Sequence, residues 1–268
     1  METPECFRKL KAAGGYGLTH IGSIQKTDGA AFSGQEAREI LDTLRLFFSF
    51  AKGSWCNPVC PVGFDDAENR VWELWSYPRE VWTIPYSSWF DPHHPEQLVA
   101  LLPGFMVKRE NKNWRAALSE VLYWYLNSNQ SARGIDAGII LTQSAIERLA
   151  YEYMVKDQKL ITAKKFKKLN AADNYRRLFS ALGIPVDIPS FLSEISTLAM
   201  QRKWRDGPHA LTDIRNAIVH PDHIRHGQDE KAYFEAWNLG LQYLELAILA
   251  ICGYNGAYYN RIGRHRLV

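Results

Sequence analysis

Apolar side chains recur every three or four residues over most of the chain beyond residue 96, and this spacing constrains the fold most strongly. The clearest stretches are residues 113–129 and 134–156. One face of the second stretch carries Ile135, Ile139, Thr142, Ile146, Leu149 and Tyr153. A stripe of this width is typical of helices that pack around a shared core, so the pattern predicts a bundle of helices.

Further helices are predicted where the same spacing meets helix-stop signals. Proline or glycine marks several of their ends, because proline disfavours the α conformation in the residue before it and glycine readily closes a helix. The predicted segments are 96–107, interrupted at Pro103; 163–183, stopped by Gly183 and Pro185; 190–203; 210–220, which ends at Pro221; and 229–253, long and largely buried.

The N-terminal part of the chain has a mixed pattern. Residues 19–32 contain two short β-like pieces around Asp28-Gly29, a hairpin turn signal, and 34–53 predicts a helix that stops at Gly53. Residues 54–95 hold many prolines and five of the nine tryptophans, and predict a small aromatic-rich layer, β or irregular, with strands at 71–77 and 80–86. The tryptophans either pack in this layer or stack on nucleic-acid bases. The fold class expected is mainly α, with a smaller mixed α/β region over residues 1–110 and a helical domain over 111–268.

Composition excludes several classes of protein. The net charge of +3 permits an anionic partner without requiring one. Four scattered cysteines do not form a disulfide framework, and the N-terminal sequence has no apolar core of a signal peptide. The longest apolar run, 241–254, is shorter than a membrane span and contains Glu245. The expectation is a reduced, cytoplasmic protein that does not enter a membrane.

The residues Arg215-Asn216-Ala217-Ile218-Val219-His220 are the sharpest chemical feature. Histidine titrates near neutral pH and can take or give the protons that move when an RNA 2′-hydroxyl attacks phosphorus. A guanidinium can stabilise the additional negative charge of the transition state, and Asn216 can orient a phosphate oxygen or the histidine. The alternative is a helix-end histidine interacting with the helix dipole beside a surface arginine.

The stretch LTDIRNAIVHP resembles the signature of HEPN domains, and residues 113–253 resemble the helical order of prokaryotic HEPN proteins of defence and toxin systems, including ApeA-like ones. The resemblance implies a helical bundle, a homodimer with the motif at its interface, and a metal-independent endoribonuclease with Arg215, Asn216 and His220 as catalytic residues. It implies RNA as a partner and leaves room for a regulatory one. Some HEPN toxins carry a modified tyrosine two residues after the histidine, where this chain has Asp222. A catalytically inactive dimerisation or nucleotide- or RNA-sensing module is the alternative within the family.

Two other sets of residues are candidates for binding. Lys164, Lys165, Lys167 and Lys168 lie in a basic segment that is suited to RNA phosphates, or else form a solvated helix face. Cys56 and Cys60, with His93 and His94, come short of a zinc pattern because no second cysteine pair follows. The sequence has no phosphate-binding loop and no metalloprotease motif, so neither a cofactor nor a metal is predicted.

Overall fold

A computed structural model of the chain describes residues 21–75, 87–130, 134–220 and 230–263, together with residues 5, 8, 9 and 12. By their contacts the residues divide into two compact units, Met1–Arg38 and Glu39–Val268. This division differs from the predicted boundary between residues 110 and 111, which stays a prediction.

Helices dominate the described part of the chain, and the predicted mainly α fold with a small strand-containing region is confirmed. The elements in chain order are α1 (Gly34–Lys52), β1 (Val62–Phe64), β2 (Arg70–Glu73), α2 (Glu96–Glu110), α3 (Lys112–Ser128), α4 (Ile135–Tyr151), a π-helical turn (Glu152–Asp157), α5 (Ala163–Lys168), α6 (Ala171–Ala181), α7 (Ser193–Arg202), α8 (Gly207–Val219) and α9 (Glu230–Ile251).

Helix α4 lies at the centre of the larger unit, since it packs against α3, α6, α8 and α9. Its apolar face is fully buried at Ile146 and Leu149, and α9 contributes Leu244 and Ile248 to the same core. Burying each side chain of this size stabilises the fold by roughly 1.5–3 kcal/mol. The predicted stripe over residues 134–156 is therefore the face on which the bundle is assembled.

Helix α2 runs without interruption through Pro103, so the predicted break at this proline is wrong. Proline lacks the N–H that would bond to the carbonyl of Val99, four residues earlier. Val99 is 73% exposed, so this carbonyl lies on the side of the helix that water can reach. The buried residues Leu101 and Phe105 hold the opposite side of α2 against the core, and the helix continues.

Two predicted helices differ from the structure in their continuity. The segment 134–156 is α-helical only to Tyr151 and then forms the π-helical turn, which side-chain periodicity does not predict. The segment 163–183 is two helices, α5 and α6. The break falls at Asn170, whose side-chain oxygen accepts the N–H of Asp173 at 2.8 Å and so starts a new helix.

Among the described residues, the strands β1 and β2 match the predicted strands only in part. In the smaller unit, the described residues 21–32 form a turn at Asp28 but no strand, because a hairpin of two such short pieces has too few cross-strand pairs to be stable. The predicted strand 71–77 corresponds to β2, which pairs antiparallel with β1, whereas 80–86 lies outside the described residues. Among the described tryptophans of the predicted aromatic layer, Trp89 is fully buried and Trp75 is 82% exposed.

The C-terminal segment is tied into the core by a buried ion pair. Arg261 and Glu245 are almost completely inaccessible, and their closest atoms, Nη2 and Oε1, are 2.6 Å apart. The hydroxyl of Tyr125 donates to the same carboxylate at 2.5 Å, and Arg261 also donates to Asn129 and to the backbone oxygen of Ser87. Within the described residues, no helix is both long and apolar enough to cross a lipid bilayer.

Candidate functional site

The site is positioned by the first turn of α8. Asp206 caps this helix by accepting the backbone N–H of His209 at 2.9 Å, and Pro208 occupies the first turn, where proline is tolerated. The Asp206 carboxylate is also bound by two nitrogens of Arg176 from α6, at 2.5 and 3.0 Å. Helix α8 therefore starts three residues before the predicted position 210, with its beginning fixed to α6.

The ionisation of Asp206 supports this arrangement. Burial by itself raises the pKa of a carboxyl group, but hydrogen bonds from Arg176 and from the His209 N–H outweigh it and lower the pKa of Asp206. The aspartate is thus charged at neutral pH. The anchor between α6 and α8 is a charge-assisted contact.

Arg215 and Asn216 line an open cavity of about 750 Å³ between α4, α6 and α8. Both side chains are half-buried, and Nη1 of Arg215 donates to Oδ1 of Asn216 at 3.3 Å. Among the described residues no carboxylate lies within ion-pair distance of Arg215. The charged and polar residues that line the cavity include Gln143, Ser144, Glu147, Asn170, Arg176, Lys203, Arg205, His209, Thr212 and Asp213.

Tyr175 lies at the wall of the cavity and is affected by the charge of Arg215. Its hydroxyl donates to the backbone oxygen of Gln143 at 3.0 Å and is buried. Burial and the charge of Glu147 raise the pKa of Tyr175, while Arg215 acts in the opposite direction. The phenol therefore stays protonated at neutral pH, and it contributes a fixed hydrogen bond rather than a titrating group.

His220 lies outside this cavity. It follows the last turn of α8 as the C-cap, with its backbone N–H donating to the oxygen of Asn216 at 2.9 Å, and its side chain is exposed. The helix thus ends one residue earlier than the sequence pattern predicts. The structure brings Arg215 and Asn216 together in one chain and leaves the His220 imidazole at the exposed end of the helix.

The four predicted RNA-binding lysines are exposed on α5, where Phe166 between them is buried against Tyr151. None of the four lines the cavity. The residues directly after α5 do, since Asn170 and Ala171 form part of its wall. Helix α5 therefore directly precedes cavity-lining residues in the chain, while its four lysine side chains are exposed to solvent.

His209 shares the cavity with Arg215 and Asn216. In the sequence it lies near the motif, where a role in substrate binding and a place in a polar loop are equally compatible with it. Its Nδ1 accepts the backbone N–H of Arg205 at 3.2 Å. A signal was available, because residues seven apart lie on the same face of a helix and His209 precedes Asn216 by seven. The shared face was not predicted, because the sequence pattern started α8 only at residue 210.

Among the described residues, no group of three or more histidine, cysteine, aspartate or glutamate side chains is placed to hold a metal ion. Cys56 is half-buried, and burial raises the pKa of its thiol. Cys60 is exposed, and Nδ1 of His94 lies 2.7 Å from the carboxylate of Glu96.

The fold and the site together define a mainly helical protein in which one helix presents an arginine, an asparagine and a histidine to a polar cavity. The chain belongs to the YopA family: the YopA C-terminal domain matches residues 111–268, and the YopA central domain matches residues 2–87. The cavity lies within the part that matches the C-terminal domain.

A named relative is the SPbeta prophage-derived uncharacterized protein YopA of Bacillus subtilis (strain 168), which is 32% identical over 258 residues. The match covers 96% of this chain and 57% of the relative, so the chain spans little more than half the length of that protein. No solved structure matches the chain significantly.

Proposed function

We propose that the protein is a metal-independent endoribonuclease of the HEPN type, with Arg215, Asn216 and His220 as its catalytic residues. The observation that supports this most directly is the state of Arg215. A half-buried guanidinium facing an open cavity, with no carboxylate partner among the described residues, is suited to an anionic ligand. An arginine with a purely structural role would instead be expected to pair with a carboxylate, as Arg261 does.

The reaction would be an internal transesterification. The His220 imidazole takes the proton of the 2′-hydroxyl, the 2′-oxygen bonds to phosphorus, and the bond from phosphorus to the 5′-oxygen breaks. A protonated imidazole returns a proton to the leaving 5′-oxygen. Arg215 stabilises the negative charge that develops on the phosphoryl oxygens, and Asn216 orients one of them. The products are a 2′,3′-cyclic phosphate and a 5′-hydroxyl.

The position of His220 favours a site shared by two copies of the chain. One imidazole outside the cavity cannot serve as both base and acid on a phosphate held by Arg215. A homodimer that apposes two α8 helices would supply a second imidazole at the exposed helix ends. This assembly is part of the proposal, and Lys164, Lys165, Lys167 and Lys168 would contact flanking phosphates.

The biological setting of the proposal is conflict between phages and bacteria, with RNA cleaved in the cytoplasm. The Bacillus subtilis relative supports this setting, since it is prophage-derived. In a defence or toxin role, the activity would need restraint, which the N-terminal region or a regulatory partner would provide.

A second candidate function is a catalytically inactive module that senses a nucleotide or RNA. The observation that favours it is the separation of His220 from the cavity that holds Arg215 and Asn216. Such a module would bind an anionic ligand there and cleave nothing.

Cleavage of end-labelled RNA in the presence of EDTA separates the two functions. We expect the wild-type chain to cleave, and we expect His220→Ala and Arg215→Ala to reduce the rate at least a hundredfold, the usual scale for losing an acid–base group or an electrostatic one. His93→Ala, at an exposed histidine elsewhere, is the matched control and should cleave normally. If the folded, dimeric wild type leaves RNA intact, or His220→Ala cleaves at the wild-type rate, the nuclease mechanism is wrong.

A further inference from the structure

We propose that His209 completes a phosphodiester-binding site with Arg215 and Asn216, and that this site is whole within one chain. The inference deepens the proposed function and rests on it for the identity of the ligand, a phosphodiester of single-stranded RNA. It adds a residue outside the stretch Arg215–His220. It also assigns phosphate binding to residues other than His220, which acts in cleavage.

The first argument is that Asn216 is oriented as a donor. Its side-chain oxygen accepts the hydrogen bond from Arg215, which leaves the amide nitrogen, with its two N–H groups, at the other end of the side chain. Within the described residues this nitrogen has no hydrogen-bond acceptor. Arg215 uses one N–H group in this hydrogen bond, and its other N–H groups remain available as donors. The pair therefore presents mainly donors to the cavity.

The second argument is that the backbone fixes which nitrogen of His209 carries the proton. Because Nδ1 accepts the N–H of Arg205, the neutral imidazole has its proton on Nε2. The backbone of His209 is itself held by Asp206, which Arg176 anchors in turn. His209 is thus a rigidly mounted Nε2–H donor at the wall of the cavity, rather than a general base.

The third argument concerns the charges around these donors. Lys203 and Arg205 also line the cavity as exposed cations, while Arg176 is already paired with carboxylates. The lining carboxylates are Glu147, which is exposed, and Asp213, which accepts the indole N–H of Trp204 at 2.9 Å. With Arg176 set aside, three cations face two carboxylates, so the cavity suits one phosphodiester charge better than a highly charged polyphosphate.

A single-stranded 2′-deoxy oligonucleotide is the appropriate probe, because it carries phosphodiesters and lacks the hydroxyl needed for cleavage. We expect the full chain to bind it, measured by fluorescence anisotropy at fixed salt, and to bind an uncharged methylphosphonate version much more weakly. His209→Ala should raise the Kd about tenfold, as expected for losing one hydrogen bond to a charged group. His93→Ala is the control for removing an exposed histidine elsewhere.

Two isosteric variants distinguish a binding role from a structural one. The side-chain nitrogen of glutamine lies near the position of Nε2, so His209→Gln should bind the probe within about threefold of wild type. The side-chain nitrogen of asparagine lies near the position of Nδ1, so His209→Asn should bind the probe as weakly as His209→Ala. Equal binding by His209→Ala and wild type overturns the proposal, and so does the reverse pattern, in which asparagine restores binding and glutamine does not.

The nuclease proposal and the phosphate-site proposal can be rejected independently of each other. His220→Ala should bind the probe like wild type, because His220 is outside the cavity, while losing RNA cleavage. Probe binding that depends on His209 in a protein that cleaves no RNA supports the phosphate site and rejects the nuclease. RNA cleavage that survives in His209→Ala with unchanged Kd and KM rejects the phosphate site and leaves the nuclease standing.

Discussion

At the scale of single residues, Asp206 fixes the first turn of α8 beside the cavity. It caps α8, holds the backbone of His209 and pairs with Arg176. Its pKa is lowered by these hydrogen bonds against the effect of burial, so the folded state binds its proton less readily than the unfolded chain does. The stability that Asp206 contributes is therefore complete above the unfolded pKa, near 4, and is lost as pH falls through the folded pKa.

Asp206→Asn tests this contribution. Asparagine keeps the capping oxygen and removes the charge, so we expect the free energy of unfolding at pH 7 to fall by about 2 kcal/mol, the scale of a charged hydrogen bond. The difference from wild type should shrink as the pH is lowered below about 4. Urea denaturation at several pH values measures this, with Asp66→Asn at an exposed site as the control. A constant difference across that range would contradict the assignment.

Arg215 and Asn216 are predicted site residues because of their spacing to His220 and the resemblance of this stretch to HEPN domains. Their common cavity depends on α4 and α6 as well as on α8. The sequence offers His209 only as a residue near the motif. Asp206 and Pro208 are a local signal for the start of α8, but the contact of this first turn with α6 depends on Arg176, thirty residues away in the chain. Long-range ion pairs leave no mark in local periodicity, so a sequence reading misses side chains that they position.

At the scale of elements, the helices follow from periodicity, while their interruptions depend on contacts that the sequence does not display. Helix α2 continues through Pro103 because the affected side of the helix faces solvent. The π-helical turn after Tyr151 depends on a change in the backbone hydrogen-bond pattern. The close approach between α2 and the end of α9 is a third example. A Cβ at Gly104 would overlap the backbone oxygen of Cys252.

Gly104→Ala should therefore destabilise the protein, although alanine favours a helix over glycine by roughly 0.5–1 kcal/mol. Overpacking against backbone cannot be relieved by a side-chain rotation, so we expect a net loss of about 2 kcal/mol in urea denaturation. Gly22→Ala is the control, because a Cβ at Gly22 meets no atom within 4 Å, and its effect should be close to zero. A stabilised Gly104→Ala would show that α2 and α9 are farther apart.

At the scale of the whole larger unit, segments far apart in sequence converge on one buried polar cluster. Glu245 of α9, Tyr125 of α3 and Arg261 of the C-terminal segment share it, and Asn129 extends it to the backbone of Gly53 and Ser87. Burial and the neighbouring carboxylate raise the pKa of Tyr125, so its hydroxyl remains a donor to Glu245. The cluster joins segments that the apolar stripes alone would not align.

Glu245→Gln tests how far the larger unit depends on this cluster. The substitution keeps the size of the side chain but leaves the buried Arg261 without a counter-charge, which in comparable sites costs about 3–5 kcal/mol. For a unit of this size we expect a fall in Tm of about 10 °C, measured by calorimetry. Glu230→Gln, at the exposed start of α9, removes the same charge and should leave Tm nearly unchanged. A shift in Glu245→Gln no larger than in Glu230→Gln would mean that water reaches Arg261 and that apolar packing alone holds the C-terminal segment.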